Sequence, residues 1–258
     1  MNDLLSVEYL EQLTRDAIPA LSTEVYQSWL LRYANGYTQR ANSVHQITDL
    51  EIENINEQIG YIEDYYHSKG LDASFKIVEG KKSASLVQCL NKKGYQKVNR
   101  SSVLVADLSF NGEFSVRNSN VKVVQVDVDN WLKGFQMLNG AEHKEMRTLK
   151  KMLSLSKQET LYLQILNENE LVATGFASKG DEFIGLYNIV TKKEARNQGW
   201  GTLLLHAFFK WGIQVGGRKV YLQVLQDNQA AQHLYEKFGF NVIYDYYFCT
   251  RKRVNEIG

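Results

Sequence analysis

The alternation of apolar and polar positions divides the chain into short segments whose period switches between two and about 3.6 residues. Residues 3–17 space leucines and Tyr9 along one helical face, with Pro19, the single proline, just past the end. Two short β-like runs follow, Trp29 to Ala34 and Tyr37 to Asn42, flanking Asn35-Gly36, a pair favoured in two-residue type I′ turns. A hairpin about that turn sets Ala34 opposite Tyr37, Leu31 opposite Arg40 and Trp29 opposite Asn42, so Trp29, Arg40 and Asn42 share a face with Tyr33 and Thr38. As half-buried sheet, that face is scaffold. As a ligand-facing surface, it offers a π surface, a fixed positive charge and an amide.

A helical stretch over about 49–68 leads to a strand at 73–78, a helix at 83–93, the pair Gly94-Tyr95 and a strand at 101–108. Residues 109–120 are polar, contain glycine and lack a helical period, which marks a linker. Beyond it the pattern predicts a strand at 121–126, one or two helices over 131–155, and strands at 159–166 and 171–177. A strand at 181–190, an amphipathic helix at 203–211, a strand at 219–224, a helix at 228–238 and a strand pair near 242–250 complete it. That order predicts an α/β protein, a mixed sheet with helices on both faces, divided into domains 1–110 and 121–258 by a linker at 111–120. Laying Gly94-Tyr95 on Gly239-Phe240, an offset of 145, also sets Phe75 on Val220, Ser83 on Asn228, Leu86 on Ala231 and Leu90 on Tyr235. An internal repeat of one fold is one reading, and convergent strand-helix-strand patterning is the other.

Between the apolar run at 184–190 and the helical run at 203–211 lies Arg196-Asn197-Gln198-Gly199-Trp200-Gly201-Thr202. Strand, glycine loop and helix in that order build an anion cradle. Glycines allow a tight turn and close backbone approach, and the first N–H groups of a helix have no partner within it. The spacing matches neither G-x-G-x-x-G nor G-x-x-x-x-G-K-[ST], so nicotinamide and nucleoside triphosphate chemistry are poorly supported. After the strand at 219–224 comes a second stretch, Asn228-Gln229-Ala230-Ala231-Gln232-His233-Leu234-Tyr235-Glu236-Lys237-Phe238-Gly239-Phe240.

Together, R-x-x-G-x-G and N-x-x-A-x-x-L-Y-x-x-x-G-F resemble the two signatures of the GNAT superfamily, the acyl-CoA-dependent N-acetyltransferases, in the right order and at a normal distance. The resemblance covers about residues 121–252. It implies a GNAT fold in the C-terminal half and a truncated, degenerate GNAT-like copy in the N-terminal half, a tandem arrangement with one inactive half. At the same offset, Glu51-Ile52-Glu53-Asn54-Ile55-Asn56 falls under the Arg196 to Gly201 loop, with no glycine and with carboxylates where a diphosphate would sit.

The resemblance further implies acetyl-CoA as cosubstrate and the primary amine of a small molecule or peptide as acceptor, attacking directly in a ternary complex. The coenzyme A diphosphate would lie on the N–H groups of Gln198, Gly199, Trp200, Gly201 and Thr202, beside Arg196 and Asn197. The pantetheine arm would run along Ile189-Val190-Thr191. Asn228 would cap its helix and contact the cofactor, and Tyr235 would donate a proton to the departing thiolate. Family members often use a glutamate, a histidine or an ordered water as base. Here the strand offers Tyr187 and Asn188, with Asp181 and Glu182 at its start, and a water relay through Tyr187 or Asn188 fits better than abstraction by a neutral tyrosine. A non-catalytic acyl-CoA-binding or protein-interaction module is the alternative, and Tyr235 beside a complete loop favours the enzyme.

Composition narrows the partners. The 258 residues are 44% hydrophobic and 23% charged, with a net charge of +1 and no sustained charged block, which gives no electrostatic case for nucleic acid or an anionic membrane. The N-terminus lacks a basic region followed by an apolar core, so a cytoplasmic protein is expected, with a homodimer among the assemblies to consider. Cys89 and Cys249 show no metal spacing, and His45, His67, His143, His206 and His233 are scattered, so no metal is expected.

Overall fold

The computed structural model describes residues 6–47, 53–80, 83–108 and 120–251. Along the chain the elements are α1 (Val7–Ala17), β1 (Ser22–Tyr26), β2 (Trp29–Tyr33), β3 (Val44–Gln46), α2 (Ile55–Ser68), β4 (Ser74–Val78), α3 (Ala84–Lys92) and β5 (Gln96–Asp107). There follow β6 (Val121–Val126), α4 (Val128–Asn139), α5 (His143–Leu155), β7 (Glu159–Asn167), β8 (Glu170–Gly180), β9 (Phe183–Thr191), α6 (Trp200–Gln214), β10 (Lys219–Leu225), α7 (Gln229–Glu236) and β11 (Asn241–Thr250). From α2 onward the order predicted from the pattern is present. One strand stands where a final pair was expected, and 109–119 of the expected linker lie outside the described residues.

The chain forms two compact units, one of 1–19 with 103–243 and one of 20–102 with 244–258. The expected division at 111–120 therefore differs at both ends of the chain. The reason is α1: Ser6 caps it by accepting from the Tyr9 N–H at 3.2 Å, and Leu10, Leu13 and Ala17 bury one face. That face packs on β8 and β9 of the larger unit, where Leu13 Cδ2 lies 2.7 Å from the place a Cβ on Gly180 would take. Periodicity shows that a helix is amphipathic but not which sheet it covers.

In the larger unit the strand order is β5-β10-β9-β8-β7-β6. Neighbouring positions on β8 point to opposite faces: a Cβ on Gly175 would meet Phe208 of α6, while Phe176 meets Trp131 of α4 with ring centroids 5.1 Å apart. One face is thus closed by α6 and an aliphatic core with Leu163, Ile184, Leu204 and Val220, and the other by α1 and an aromatic layer under α4.

In the smaller unit the order is β1-β2-β3-β4-β11, and α2 and α3 cover one face over Trp29, Phe75, Leu90 and Tyr247. The opposite face carries buried Arg32, Ser43, His45, Ser74 and Lys76, with the Lys76 ammonium 3.9 Å from the centre of the Tyr246 ring. The repeat reading gains from the element starts: Ile55 and Trp200, Ser74 and Lys219, Ala84 and Gln229, and Gln96 and Asn241 are each 145 apart. Both copies leave their last helix alike. Gly94 and Gly239 have φ of +81° and +75°, and Tyr95 and Phe240 donate back to Leu90 and Tyr235 at 3.0 and 3.2 Å.

The expected hairpin is corrected. Asn35 and Gly36 do take positive φ, 51° and 74°, and Tyr37 donates to the Ala34 carbonyl at 3.0 Å, so the turn forms. The second strand does not. Residues 39–41 make a 3₁₀ turn, and β2 pairs instead with β3, Leu31 opposite Val44, and with β1 across Gln27-Ser28. Asn42 decides this: its Oδ1 accepts from the N–H groups of Ala34 and Gly36 at 2.8 and 3.0 Å, and its Nδ2 donates to the Thr38 carbonyl at 2.7 Å. The side chain takes up backbone groups that a ladder would otherwise use.

Replacing this buried amide should be costly. Asn42→Ala removes three hydrogen bonds of about 1 kcal/mol each, so equilibrium urea unfolding is expected to show a loss of about 2–3 kcal/mol. Asn42→Asp keeps both acceptor bonds and should lose less.

Candidate active site

The site is built around a parting of two strands. β9 and β10 pair in parallel over Phe183–Gly185 against Lys219–Tyr221, yet β9 runs on to Thr191 and β10 to Leu225. The cause lies on the other edge of β9. Thr174 pairs with Val190 and Phe176 with Tyr187, so Gly175 alone faces Asn188 and Ile189, and Asn188 takes φ of 49°. This is a β-bulge, which bends and twists the strand that carries the extra residue. Gly175 makes room for it, because a Cβ there would stand 3.1 Å from Ile189 Cγ1 and 3.3 Å from Ile189 Cα. Ile189, Val190 and Thr191 then lie half-buried beyond the parting.

The loop that follows leads into α6. Asn197 and Gly199 take left-handed φ of 61° and 89°, and Arg196, Asn197, Gln198 and Gly199 are exposed. The first bond of the helix runs from the Leu203 N–H to the Gly199 carbonyl at 3.0 Å, so the N–H groups of Trp200, Gly201 and Thr202 precede it. The Trp200 indole packs on the core, and its Nε1 is buried without a partner among the described residues, which leaves its backbone as the group at the loop. Gly201 has a second reason to be glycine: a Cβ there would come within 2.9 Å of Leu234 Cδ2, so it also permits the approach of α6 to α7.

Asn228 caps α7 by accepting from the Ala231 N–H at 3.2 Å. Tyr235, the last residue but one of α7, is 8% exposed and edge-on to Phe240 at 5.6 Å. Its hydroxyl has no hydrogen-bond partner among the described residues, and burial pushes its pKa up to about 12.

On the other face, the hydroxyls of Tyr187 and Tyr221 meet at 2.5 Å. Tyr187 stacks on Phe176 at 5.1 Å, and Phe176 continues the layer to Trp131, whose Nε1 is buried without a partner among the described residues. The two carboxylates at the start of β9 are engaged elsewhere. Asp181 accepts from Tyr9 at 2.6 Å, which together with burial pushes the Tyr9 phenol up to about 12, and Glu182 stands 3.5 Å from Arg218. Neither is placed as a base. Gly185 and Tyr221 were missed from sequence; the nearest signal was a phenol at 221 within an aliphatic strand.

The residues Trp29, Arg40 and Asn42 do not form a common face. Trp29 is buried in the smaller unit's core, edge-on to Phe75 and donating to Gln58 Oε1 at 2.6 Å; Arg40 is exposed and donates to the Tyr246 hydroxyl at 2.8 Å; Asn42 organises its loop. Among the described residues the smaller unit shows no such parting. β3 pairs with β4 at Val44–Phe75 and His45–Lys76 and ends at Gln46, and Asn54, with φ of 49°, stands where the larger unit has Gly199. Glu51 and Ile52 lie outside the described residues.

A mixed sheet whose parallel central strands part beside a glycine-entered helix is the GNAT fold, here in a tandem arrangement. Residues 6–248 match the family model described as "Probable histone acetyltransferase Rv0428c C-terminal", and the chain belongs to that family. It is 27% identical over 250 residues to an uncharacterized N-acetyltransferase, YobR, of Bacillus subtilis (strain 168), covering 95% of this chain and 99% of that one. In fold it is similar to a GCN5-related N-acetyltransferase from Kribbella flavida, with TM-score 0.71, 14% identity and 96% of each chain covered. It is also similar to a tandem GNAT protein from the clavulanic acid biosynthesis pathway, with TM-score 0.66, 12% identity and 81% of this chain and 74% of that one covered. The protein is therefore a GNAT-family N-acetyltransferase, an acyltransferase with an amine acceptor, and the non-catalytic alternative is set aside. Enzymes of this family generally use acetyl-CoA. Among the described residues no group of three His, Cys, Asp or Glu stands close enough to hold a metal, and no helix is long and apolar enough to cross a membrane.

The point of parting is intolerant of volume. A Cβ on Gly185 would stand 2.5 Å from Tyr187 Oη and 2.6 Å from Tyr221 Oη, both buried. Gly185→Ala is expected to lower stability by about 1–3 kcal/mol by denaturant titration, since overpacking forces such groups off their rotamers.

Proposed function

We propose that the larger unit transfers an acetyl group from acetyl-CoA to a primary amine of a small molecule or peptide by direct attack in a ternary complex, with one cofactor per chain. The observation that carries this reading is the parting of β9 from β10 at Gly185 and Tyr221, next to the first N–H groups of α6. Those N–H groups at 200–202 fit a diphosphate: they open a 15-residue helix, the positive end of its dipole faces the loop, and exposed Arg196 adds charge. Beyond the parting, the edge of β9 at Ile189, Val190 and Thr191 offers backbone groups to an extended amide chain, as an added strand would use them.

Acetyl-CoA supplies the thioester carbonyl and a thiol leaving group. The chain's own residues handle the protons. Tyr235 is neutral at pH 7 with its pKa near 12, so it keeps its proton until a departing thiolate takes it. With Asp181 and Glu182 engaged, the amine proton leaves through water beside Tyr187 and Asn188. Asn228 fixes the start of the helix that holds Tyr235.

Two measurements test the reading. Gln198→Glu sets a carboxylate in the exposed loop without touching the core; calorimetry should show acetyl-CoA affinity reduced about tenfold or more with an unchanged melting temperature, and unchanged affinity would refute the loop assignment. Thiol release from acetyl-CoA, followed against L-lysine, spermidine, kanamycin and a lysine-bearing peptide, identifies the acceptor class. The peptide belongs in that panel because the family description speaks of a probable histone acetyltransferase.

Tyr235→Phe should lower kcat at least tenfold while the KM for acetyl-CoA stays close to wild type. The pH dependence has a definite sign. The folded pKa of Tyr235 is raised from 10.0 to about 12, so its contribution to stability is complete below pH 10 and is lost as the pH rises through 12. A kcat limb that falls below pH 9 and disappears in Tyr235→Phe would contradict this role.

A further inference from the structure

We propose that Trp131 and Tyr162 form a subsite for a neutral carbonyl oxygen of the acceptor, so that the amine acetylated is carried on an alkyl chain that ends at an amide, as a peptide lysine is. The inference rests on the catalytic reading of the larger unit. Trp131 is fully buried, and its Nε1 has no hydrogen-bond partner among the described residues. A buried donor left without a partner is costly, and where the smaller unit buries an indole it supplies one: Trp29 Nε1 donates to Gln58 Oε1 at 2.6 Å. The Trp200 indole, likewise unpartnered, packs on the aliphatic core of the other face.

Trp131 differs by what stands beside it. Trp131, Gly134 and Phe135 share one face of α4, and Gly134 lets that face close on the sheet, since a Cβ there would come within 2.8 Å of Leu171 Cδ2. The Asn130 carbonyl accepts from Gln164 Nε2 at 2.9 Å and fixes the turn that carries the indole. Tyr162 and Phe176 stand opposite one another on β7 and β8, and the Trp131 ring centre lies 5.3 and 5.1 Å from theirs. Tyr162 is half-buried and its hydroxyl has no partner among the described residues, so the phenol is the outer polar group and the indole N–H the inner one. Burial pushes the Tyr162 pKa up to about 12, which keeps the phenol a neutral donor at pH 7. With no bond on its hydroxyl, the ring is held by packing alone and can turn to admit a ligand atom.

The two groups define the atom they take. An indole N–H only donates, and a carbonyl oxygen has two lone pairs, one for the indole and one for the phenol. An ammonium has no lone pair to offer, and a carboxylate would enter a layer whose ring neighbours, Phe135, Tyr162 and Phe176, carry no charge. A neutral amide fits both limits. Position fits as well: ring centres step 5.1 Å from Trp131 to Phe176 and 5.1 Å from Phe176 to Tyr187, which stands with Gly185 at the parting. The methylene chain of a lysine spans that distance over apolar rings, with its amine at the thioester and its carbonyl at Trp131.

Indole N–H resonances of the full chain, read by NMR with coenzyme A and Nα-acetyl-L-lysine methylamide, test the subsite without turnover. Pentylamine has the same amine and alkyl chain without the carbonyl. The Trp131 resonance, identified by its loss in Trp131→Phe, should move downfield with the amide and hold still with pentylamine, and Tyr162→Phe should weaken that response. An indole proton shifted upfield and indifferent to both would place it on the Phe176 or Tyr162 ring face, and a proton that moves equally with both would remove the carbonyl; either overturns the proposal. In turnover, Tyr162→Phe, which keeps the ring, and Trp131→Phe should each raise the KM for the amide about fivefold, the worth of one hydrogen bond, with the KM for acetyl-CoA and for pentylamine unchanged. A lower melting temperature in both variants with the amide KM unchanged would reduce the pair to packing and refute the subsite. If the wild type acetylates neither amine, the catalytic reading loses its support, and the indole resonance still decides the subsite.

Discussion

The loss of pairing between β9 and β10 after Gly185 and Tyr221 is the constraint on which the larger unit depends. Two parallel strands in mid-sheet would ordinarily continue their ladder, since each unpaired backbone group costs about as much as a lost hydrogen bond. The bulge at Asn188 overrides that preference by adding one residue on the β8 side, and Gly175 and Gly185 make the distortion possible on the two edges of β9. The strand is held firmly by β8 on one side and released on the other. On the proposed reading, the β9 edge that a ligand would use is already separated from β10.

Each face of the sheet contributes a different kind of chemistry to that opening. The side covered by α6 and α7 is aliphatic and presents helix N–H groups and a single neutral phenol, Tyr235, in surroundings that disfavour its ionisation. The side covered by α1 and α4 is aromatic and holds the buried Tyr187–Tyr221 hydroxyl pair. In the proposed reaction, Tyr235 on one face would give a proton to sulfur while the amine proton leaves beside Tyr187 on the other. No strongly charged side chain is needed at the centre, which fits the engagement of Asp181 and Glu182 by Tyr9 and Arg218.

Sequence made the secondary structure of the larger unit legible almost throughout, since its strands alternate cleanly and Asn228, Gly199 and Gly239 punctuate its helices. The loop and Tyr235 were readable because their chemistry is local: a few adjacent residues define the turn, the cap and the phenol. Three things were not. The register after Asn35-Gly36 turned on one distant amide, Asn42, bonding to the turn itself, which alternation of apolar residues does not encode. The place of α1 depended on which sheet its leucines met. The meeting of the Tyr187 and Tyr221 hydroxyls joins two strands well apart in the chain, and no spacing rule connects them.

The two copies separate what a fold requires from what a site requires. Both keep the helix exit at Gly94 and Gly239, the strand-helix-strand spacing and the left-handed residue that opens the long helix, glycine in one and asparagine in the other. These are backbone requirements and hold wherever the chain must turn in that way. Among the described residues the smaller unit shows no strand extension past the parallel pairing; β3 stops at Gln46, one residue beyond its pairing with Lys76. Its sheet is completed instead by Tyr244–Thr250 of the last strand, paired with β4 from Tyr246–Val78 to Thr250–Ser74. A chain cut after residue 110 would therefore lose the partner of β4 and expose a strand edge with Phe75 and Ile77 beside it. The smaller unit is not a separable segment, because the chain completes its sheet only after the larger unit has been traversed.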